Sequence, residues 1–186
     1  MSEQLKDLVR SARNGDREAY GALYERFERS VHRVCHALLD DPEAADDATQ
    51  ETFVRVWERM SGLRHPEAFS AFLRGAAVQV CRDRRRRTRW LSFWSELGGE
   101  TEPLEPADPE PGAGAALETG ELSAAVRAAM RRLAPDHREV IVLHHLEELP
   151  VADIALTLGV AEGTVKSRLS RARAHLERLL RPYVED

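Results

Sequence analysis

Between Glu162 and Arg173 the chain sets Glu162, Gly163, Thr164, Lys166, Ser167, Arg168, Ser170, Arg171 and Arg173 around an apolar stripe of Val165, Leu169 and Ala172. On a helix this spacing buries the stripe and turns the polar set outward. Arg and Lys on such a face can hold phosphates and read base edges in a DNA major groove. A shorter stripe of Val151, Ile154, Ala155 and Leu158 precedes it, separated by Gly159 and Val160. This is helix-turn-helix spacing: Ala155 is small where the second helix crosses the first, and Gly159 supplies the backbone freedom of a tight turn. From residue 162 to 181 there are six basic and two acidic residues, so this surface favours a polyanion. A solvated face on a structural helix is the plainer alternative, and the coincidence of turn, small residue and basic face argues against it.

A second cluster runs from Arg82 through Arg84, Arg85, Arg86 and Arg87 to Arg89, six arginines in eight residues. It ends a helical pattern that starts with Phe69 and Phe72 and follows a loop carrying Arg64 and His65. Cations and aromatic rings converge in this way where unstacked bases are held. Taken singly, such arginines are solvated surface and each Phe is a core residue. A third segment, Asp46 to Trp57, can place Asp47, Gln50, Glu51 and Arg55 on one helix face while Phe53, Val56 and Trp57 face inward. By itself that polar face is ordinary surface.

Catalytic or metal chemistry would have to come from His32, Cys35 and His36, or from His144, His145, Glu147 and Glu148. His32 and His36 lie one helical turn apart, but no fourth ligand accompanies them. The second group has no nucleophile or Gly-rich loop beside it. The expectation is a protein with no catalytic residues, cofactor or metal.

The elements that must position these residues read as helices throughout, because apolar residues recur at three and four. Asn14 and Gly15 stop a first helix, Asp16 caps a second, and Asp41 with Pro42 starts a third. Asp136 and Glu139 have capping-box spacing for a helix near Val140. The 186 residues suffice for one domain or two small ones, and 42% apolar with 32% charged residues is a globular composition. No apolar run reaches membrane-span or signal-peptide length, so the expected compartment is the cytoplasm. Two widely separated cysteines, Cys35 and Cys81, suggest buried thiols.

The net charge of −5 is unevenly spread. Residues 1–89 hold 17 basic and 15 acidic groups, residues 90–126 none against 8, and residues 127–186 hold 10 against 9. The acidic stretch also contains Pro103, Pro106, Pro109, Pro111 and the run Gly112 to Ala115. The fold expected is therefore all-α: a helical domain over 1–94, an acidic flexible linker over 95–120, and a second helical domain over 121–186. Trp90, Leu91, Phe93 and Trp94, where the linker begins, are apolar enough to dock on something.

Two segments, in order, resemble the two domains of extracytoplasmic-function sigma factors, the group IV sigma subunits of bacterial RNA polymerase. The stretches DDATQETFVRVW (Asp46 to Trp57) and FSAFLRGAAVQVCRDRRRR (Phe69 to Arg87) resemble sigma region 2. The stretch from Leu133 to Leu180 resembles region 4, most specifically from Gly163 to Arg173. The resemblance implies that Asp46, Asp47, Gln50, Glu51 and Arg55 form the face that docks on the β′ clamp helices of core polymerase. It implies that Arg64, His65, Phe69, Phe72, Gln79, Arg82, Arg84, Arg85, Arg86 and Arg87 hold the −10 promoter element. The helix from Glu162 to Arg173 would read the −35 element. Core RNA polymerase (β′ clamp and β flap), promoter DNA and an anti-sigma factor are the implied partners. Phe72 stands where the family usually has Trp, Gln79 where it has Asn, and Ala161 and Pro150 replace common serine caps. A stand-alone helix-turn-helix regulator is the rival reading, but it expects an effector or receiver domain upstream, which residues 1–89 do not resemble.

Two weak DNA contacts joined through polymerase act at high effective concentration, so neither needs high affinity alone. With a net charge of −5, the free chain is expected to bind DNA weakly and with strong salt dependence. Titration into labelled promoter DNA across a salt series checks this, and nanomolar, promoter-specific binding at physiological salt would contradict it.

Overall fold

The computed structural model describes residues 2–97 and 117–183, with side chains for those outside 92–122. The described residues form eight α-helices and no strand: α1 (Glu3–Arg13), α2 (Arg17–Leu39), α3 (Pro42–Arg59), α4 (Phe69–Leu97), α5 (Leu117–Arg131), α6 (Pro135–Ile141), α7 (Val151–Leu158) and α8 (Glu162–Leu180). Short 3₁₀ turns at Met60–Gly62 and Pro66–Ala68 connect α3 to α4, and a π-helical turn at Val142–Leu146 extends α6.

The helix starts in the first half are chemically specified. The Asp16 carboxylate accepts from the Glu18 and Ala19 amides at 2.9 and 3.0 Å, and Asp41 accepts from Ala44 at 3.0 Å with Pro42 opening α3. Between them α2 ends on Asp40 in the left-handed region, which redirects the chain into α3. Leu23, Val31, Val34 and Leu38 of α2 pack against Ala45, Ala48, Phe53 and Val56 of α3 and Leu73, Ala77 and Val80 of α4, with Leu5, Val9 and Ala12 of α1 across them. Thr49 and Thr52 are admitted to this core because each hydroxyl donates to the carbonyl four residues back, at 2.7 Å. Phe69 opens α4 fully buried, edge-on to Phe27 with ring centroids 5.6 Å apart. Cys35 on α2 and Cys81 on α4 are both buried free thiols. The interaction between the two thiols holds Cys35 below its ordinary value, and the same interaction together with burial pushes Cys81 up.

At two places the helix ends add to or differ from the expectation from sequence. α4 continues to Leu97 and α5 begins at Leu117, so both helices reach into the expected linker of 95–120. No Gly or Pro interrupts the chain from Ala76 until Gly98, and an arginine-rich run favours continued helix. The rest of the acidic segment and the side chains of Phe93 and Trp94 lie outside the described residues. Asp136 and Glu139 form no capping box either: Pro135 takes the first helical position, Ala134 precedes it without a side-chain cap, and Glu139 is buried.

The C-terminal helices are built around Val140, Leu143, Ile154, Val165, Leu169 and Ala172, and this core is continuous with that of the first four helices. α4 lies on α7, and α2 meets the π-helical turn. Gly75 marks the closest approach, since a Cβ there would stand 3.0 Å from the Thr157 carbonyl oxygen. Glycine in a helix interior costs about 1 kcal/mol relative to alanine, a cost set here against the close passage of two helices.

Phe69→Ala is expected to lower stability by about 3–5 kcal/mol, and Asp16→Ala by about 1 kcal/mol. Urea unfolding of the purified chain measures both, and a near-neutral Phe69→Ala would show that its burial contributes little.

Candidate polymerase and nucleic-acid interfaces

The acidic face of α3 is held in shape by cations from α4. Arg84 donates through Nε and Nη2 to Glu51 Oε2 at 3.0 and 2.9 Å and through Nη1 to Asp47 at 3.3 Å. Arg55 bridges Glu51 at 2.6 Å to Asp83 at 2.8 Å. Burial works to raise the Asp83 carboxyl, but hydrogen bonds from Arg55, Arg86 and Gln79 outweigh it and hold the group below its ordinary value. Asp46 turns to the other side and meets His32 at 3.0 Å. Asp47 and Gln50 remain exposed, so the face offers one fixed carboxylate pair and an amide to an incoming partner.

Sequence reasoning missed the apolar half of this face. Val54 is 56% exposed and lies with Tyr24, Phe53 and Trp57 around a shallow cavity of about 460 Å³ that Gln50 also lines. The signal was present in the spacing, since Val54 falls four residues after Gln50 and seven after Asp47, on one helical stripe.

The residues expected to hold the −10 element are not all brought together. Arg64 and His65 are exposed on the loop before α4, with His65 3.4 Å from Glu67. Phe72 is half-buried and lines a cavity of about 770 Å³ with Gln79, Leu149 and the exposed Leu156. Phe69 is a correction: one turn of the helix before Phe72, it points into the core and has no surface to offer a base. Arg86 and Arg87 are exposed. Arg84 is engaged by Glu51 and Asp47, while Arg82 and Arg85 both reach Glu139 on α6. Gln79 donates to Asp83 at 2.9 Å. The arginine cluster is thus matched by carboxylates along most of its length.

In the C-terminal half, Gly159 caps α7 in the left-handed conformation, with φ of 67°, and turns the chain into α8. Neither Pro150 nor Ala161 gives its helix a side-chain cap, so the motif is held by burial of Ile154, Ala155, Val165, Leu169 and Ala172. Glu162, Gly163, Lys166, Ser167, Ser170, Arg171 and Arg173 are exposed along α8, and Thr164 and Arg168 are half-buried. Arg168 is drawn to Asp136, and Lys166 lies 3.7 Å from Glu162. Arg173 Nε faces His145 Nε2 at 3.4 Å. Partial burial, His144 and Arg173 itself all lower the His145 pKa.

The residues weighed for metal or catalytic chemistry separate. The His32 and His36 rings lie 6.1 Å apart, whereas Cys35 between them in sequence is turned into the core. Among the described residues no group of three His, Cys, Asp or Glu side chains is placed to hold a metal ion. Glu147 is engaged by Arg33, Arg74 and Ser30 rather than by His144 or His145. No described helix is long and apolar enough to cross a membrane.

Comparison with known proteins gives the family. Residues 23–91 match the model of sigma-70 region 2 and residues 123–176 the model of sigma-70 region 4. The ECF RNA polymerase sigma factor SigM of Mycobacterium tuberculosis is 37% identical over 166 residues, covering 89% of this chain and 79% of SigM. SigW of Bacillus subtilis, also an ECF sigma factor, is 26% identical across 97% of this chain and 99% of its own. The fold is similar to that of CnrH in its complex with the cytosolic domain of CnrY, with a TM-score of 0.71 at 22% identity over 97% of this chain and 99% of CnrH. With both region models matched in order and SigM related along most of its length, the chain belongs to the extracytoplasmic-function sigma factors of the sigma-70 family, the RNA polymerase subunits that direct promoter-specific transcription initiation.

Proposed function

We propose that this sigma factor divides its work among the surfaces described above. The Asp47, Gln50 and Glu51 face, with Asp46 and Arg55 beside it and Val54 extending it, docks on the β′ clamp helices of core polymerase. The loop at Arg64 and His65, with Phe72 and Gln79, opens the −10 element and holds an extruded base, while Arg82, Arg84, Arg85, Arg86 and Arg87 serve its backbone phosphates. In region 4, α8 reads the −35 element through Glu162 to Arg173, and the same domain meets the β flap. The protein contributes no catalytic residue of its own, acts in the cytoplasm and needs no cofactor. The domain division is region 2 over 1–94 and region 4 over 121–186, with the connection between them paid out as the two promoter elements require. An anti-sigma factor is a further partner, by analogy with CnrH, which is known in complex with CnrY.

The observation that carries this reading is the pre-ordered carboxylate pair on α3. Asp47 and Glu51 are tied through Arg84 to the helix that would meet DNA, so the polymerase-facing and promoter-facing surfaces share one rigid support. An alanine at either carboxylate removes charge from a solvent-accessible surface and leaves the buried core untouched.

Run-off transcription with purified core polymerase on genomic fragments tests it. The wild-type chain is expected to yield specific transcripts, and an Asp47→Ala, Glu51→Ala double variant to lose them together with its binding to core. A chain that binds DNA specifically by itself and never engages core polymerase would replace this reading with that of a free-standing regulator.

A further inference from the structure

Between Gly62 and Pro66 the chain runs extended: Leu63 has φ −73° and ψ 102°, and His65, ahead of a proline, φ −118° and ψ 106°. Extended backbone bonds nothing within itself and must find partners elsewhere. The Leu63 amide donates to the Met60 carbonyl and the Ala68 amide to the His65 carbonyl, both at 3.0 Å, which closes the 3₁₀ turn on each side. The Leu63 carbonyl between those turns accepts from Arg13 Nη1 on α1 at 3.3 Å, across 50 residues of sequence. Arg13 is half-buried and pairs with no carboxylate among the described residues, whereas Arg10, one turn earlier, takes Glu3 and Asp7. α1 itself is fixed by Leu5, Val9 and Ala12 in the core, and it packs on both 3₁₀ turns that flank the loop. This helix precedes residues 23–91, the part of the chain that matches sigma-70 region 2. On its other side Leu63 lines the cavity of about 770 Å³ together with Glu67, Phe72 and Gln79.

We propose that Arg13 is a positioning residue for promoter opening. Its guanidinium fixes Leu63, so the loop carrying Arg64 and His65 stands at the edge of the Phe72 cavity before any DNA arrives. This rests on the reading above that the loop and Phe72 hold an extruded −10 base. A charged donor makes the stronger kind of hydrogen bond to a carbonyl, and a loop ordered in advance does not lose that freedom again when a base enters. Without the bond a smaller fraction of loops is competent, and capture weakens by that fraction. On duplex promoter, capture competes with re-pairing of the strands, so the weakening appears in full as lost open complex. On a template whose −10 strands are already apart, little competes and the same weakening is hidden.

The test uses holoenzyme assembled from the full chain and core polymerase, on a promoter recovered by run-off transcription. That promoter is supplied as duplex and with a mismatched, already open −10 segment. Arg13→Met keeps the stem and removes the donors, and Arg13→Lys keeps a charged donor. Circular dichroism confirms that both variants are folded, and titration with labelled chain confirms that both bind core. Arg13→Met is expected to lower the ratio of duplex to pre-opened transcription about tenfold, and Arg13→Lys to regain most of it. Amide hydrogen exchange over residues 63–68 is expected to quicken in Arg13→Met while that of the buried part of α4 stays as in wild type. A merely structural role would lower transcription from both templates alike, and that result overturns the proposal, as does loop exchange that does not quicken. Phe72→Ala shows how far a failure reaches. If it lowers the ratio and Arg13→Met does not, positioning by Arg13 alone is discarded; if neither does, the reading of the cavity as the base site falls and takes the proposal with it.

Discussion

A carboxylate taken out of water must be met by cations, and in this protein nearly every such obligation is met by α4. Glu139 has no exposed surface and would be intolerable alone, since removing one partner of a buried pair costs about 3–5 kcal/mol. Its partners are Arg82 and Arg85, while Arg84 serves Glu51 and Asp47 from the next side of the same helix. One helix therefore fixes the shape of the acidic face on α3 and closes the boundary between the two halves of the chain. Replacing a buried ion pair with apolar residues is often neutral or stabilising, so stability by itself does not explain a charged joint.

The same accounting explains how a chain of net charge −5 can belong to a DNA-binding family. Arg82, Arg84, Arg85 and Arg86 are each paired with carboxylates, and the surplus of acid lies in residues 90–126. The exposed basic groups are spread over both halves, among them Arg26, Arg29, Arg59, Arg64, Arg86 and Arg87 in the first and Lys166, Arg171 and Arg173 on α8.

Much of this was legible in the sequence where the signal is local. Asp16 and Asp41 announce their helices within three residues, and Gly159 with the Ala155, Val165 and Leu169 spacing announces the helix-turn-helix. Glu139 misled for the same reason: its spacing from Asp136 imitates a capping box, while its true partner Arg82 lies 57 residues away. Phe69 and Phe72 look alike in a sequence, and only the azimuth of α4 against α2 decides that one fills the core and the other lines a cavity. The continuation of α4 to Leu97 is hidden by composition, since the acidic, proline-rich stretch reads as linker from residue 95.

The paired thiols inside region 2 add a property of a different kind. Cys35 belongs to α2 and Cys81 to α4, and both are sealed from solvent in the packed core. Small reagents can reach them only when those two helices separate, so the chemistry of this pair keeps time with the breathing of region 2. The molecule thus carries its own clock for that one motion.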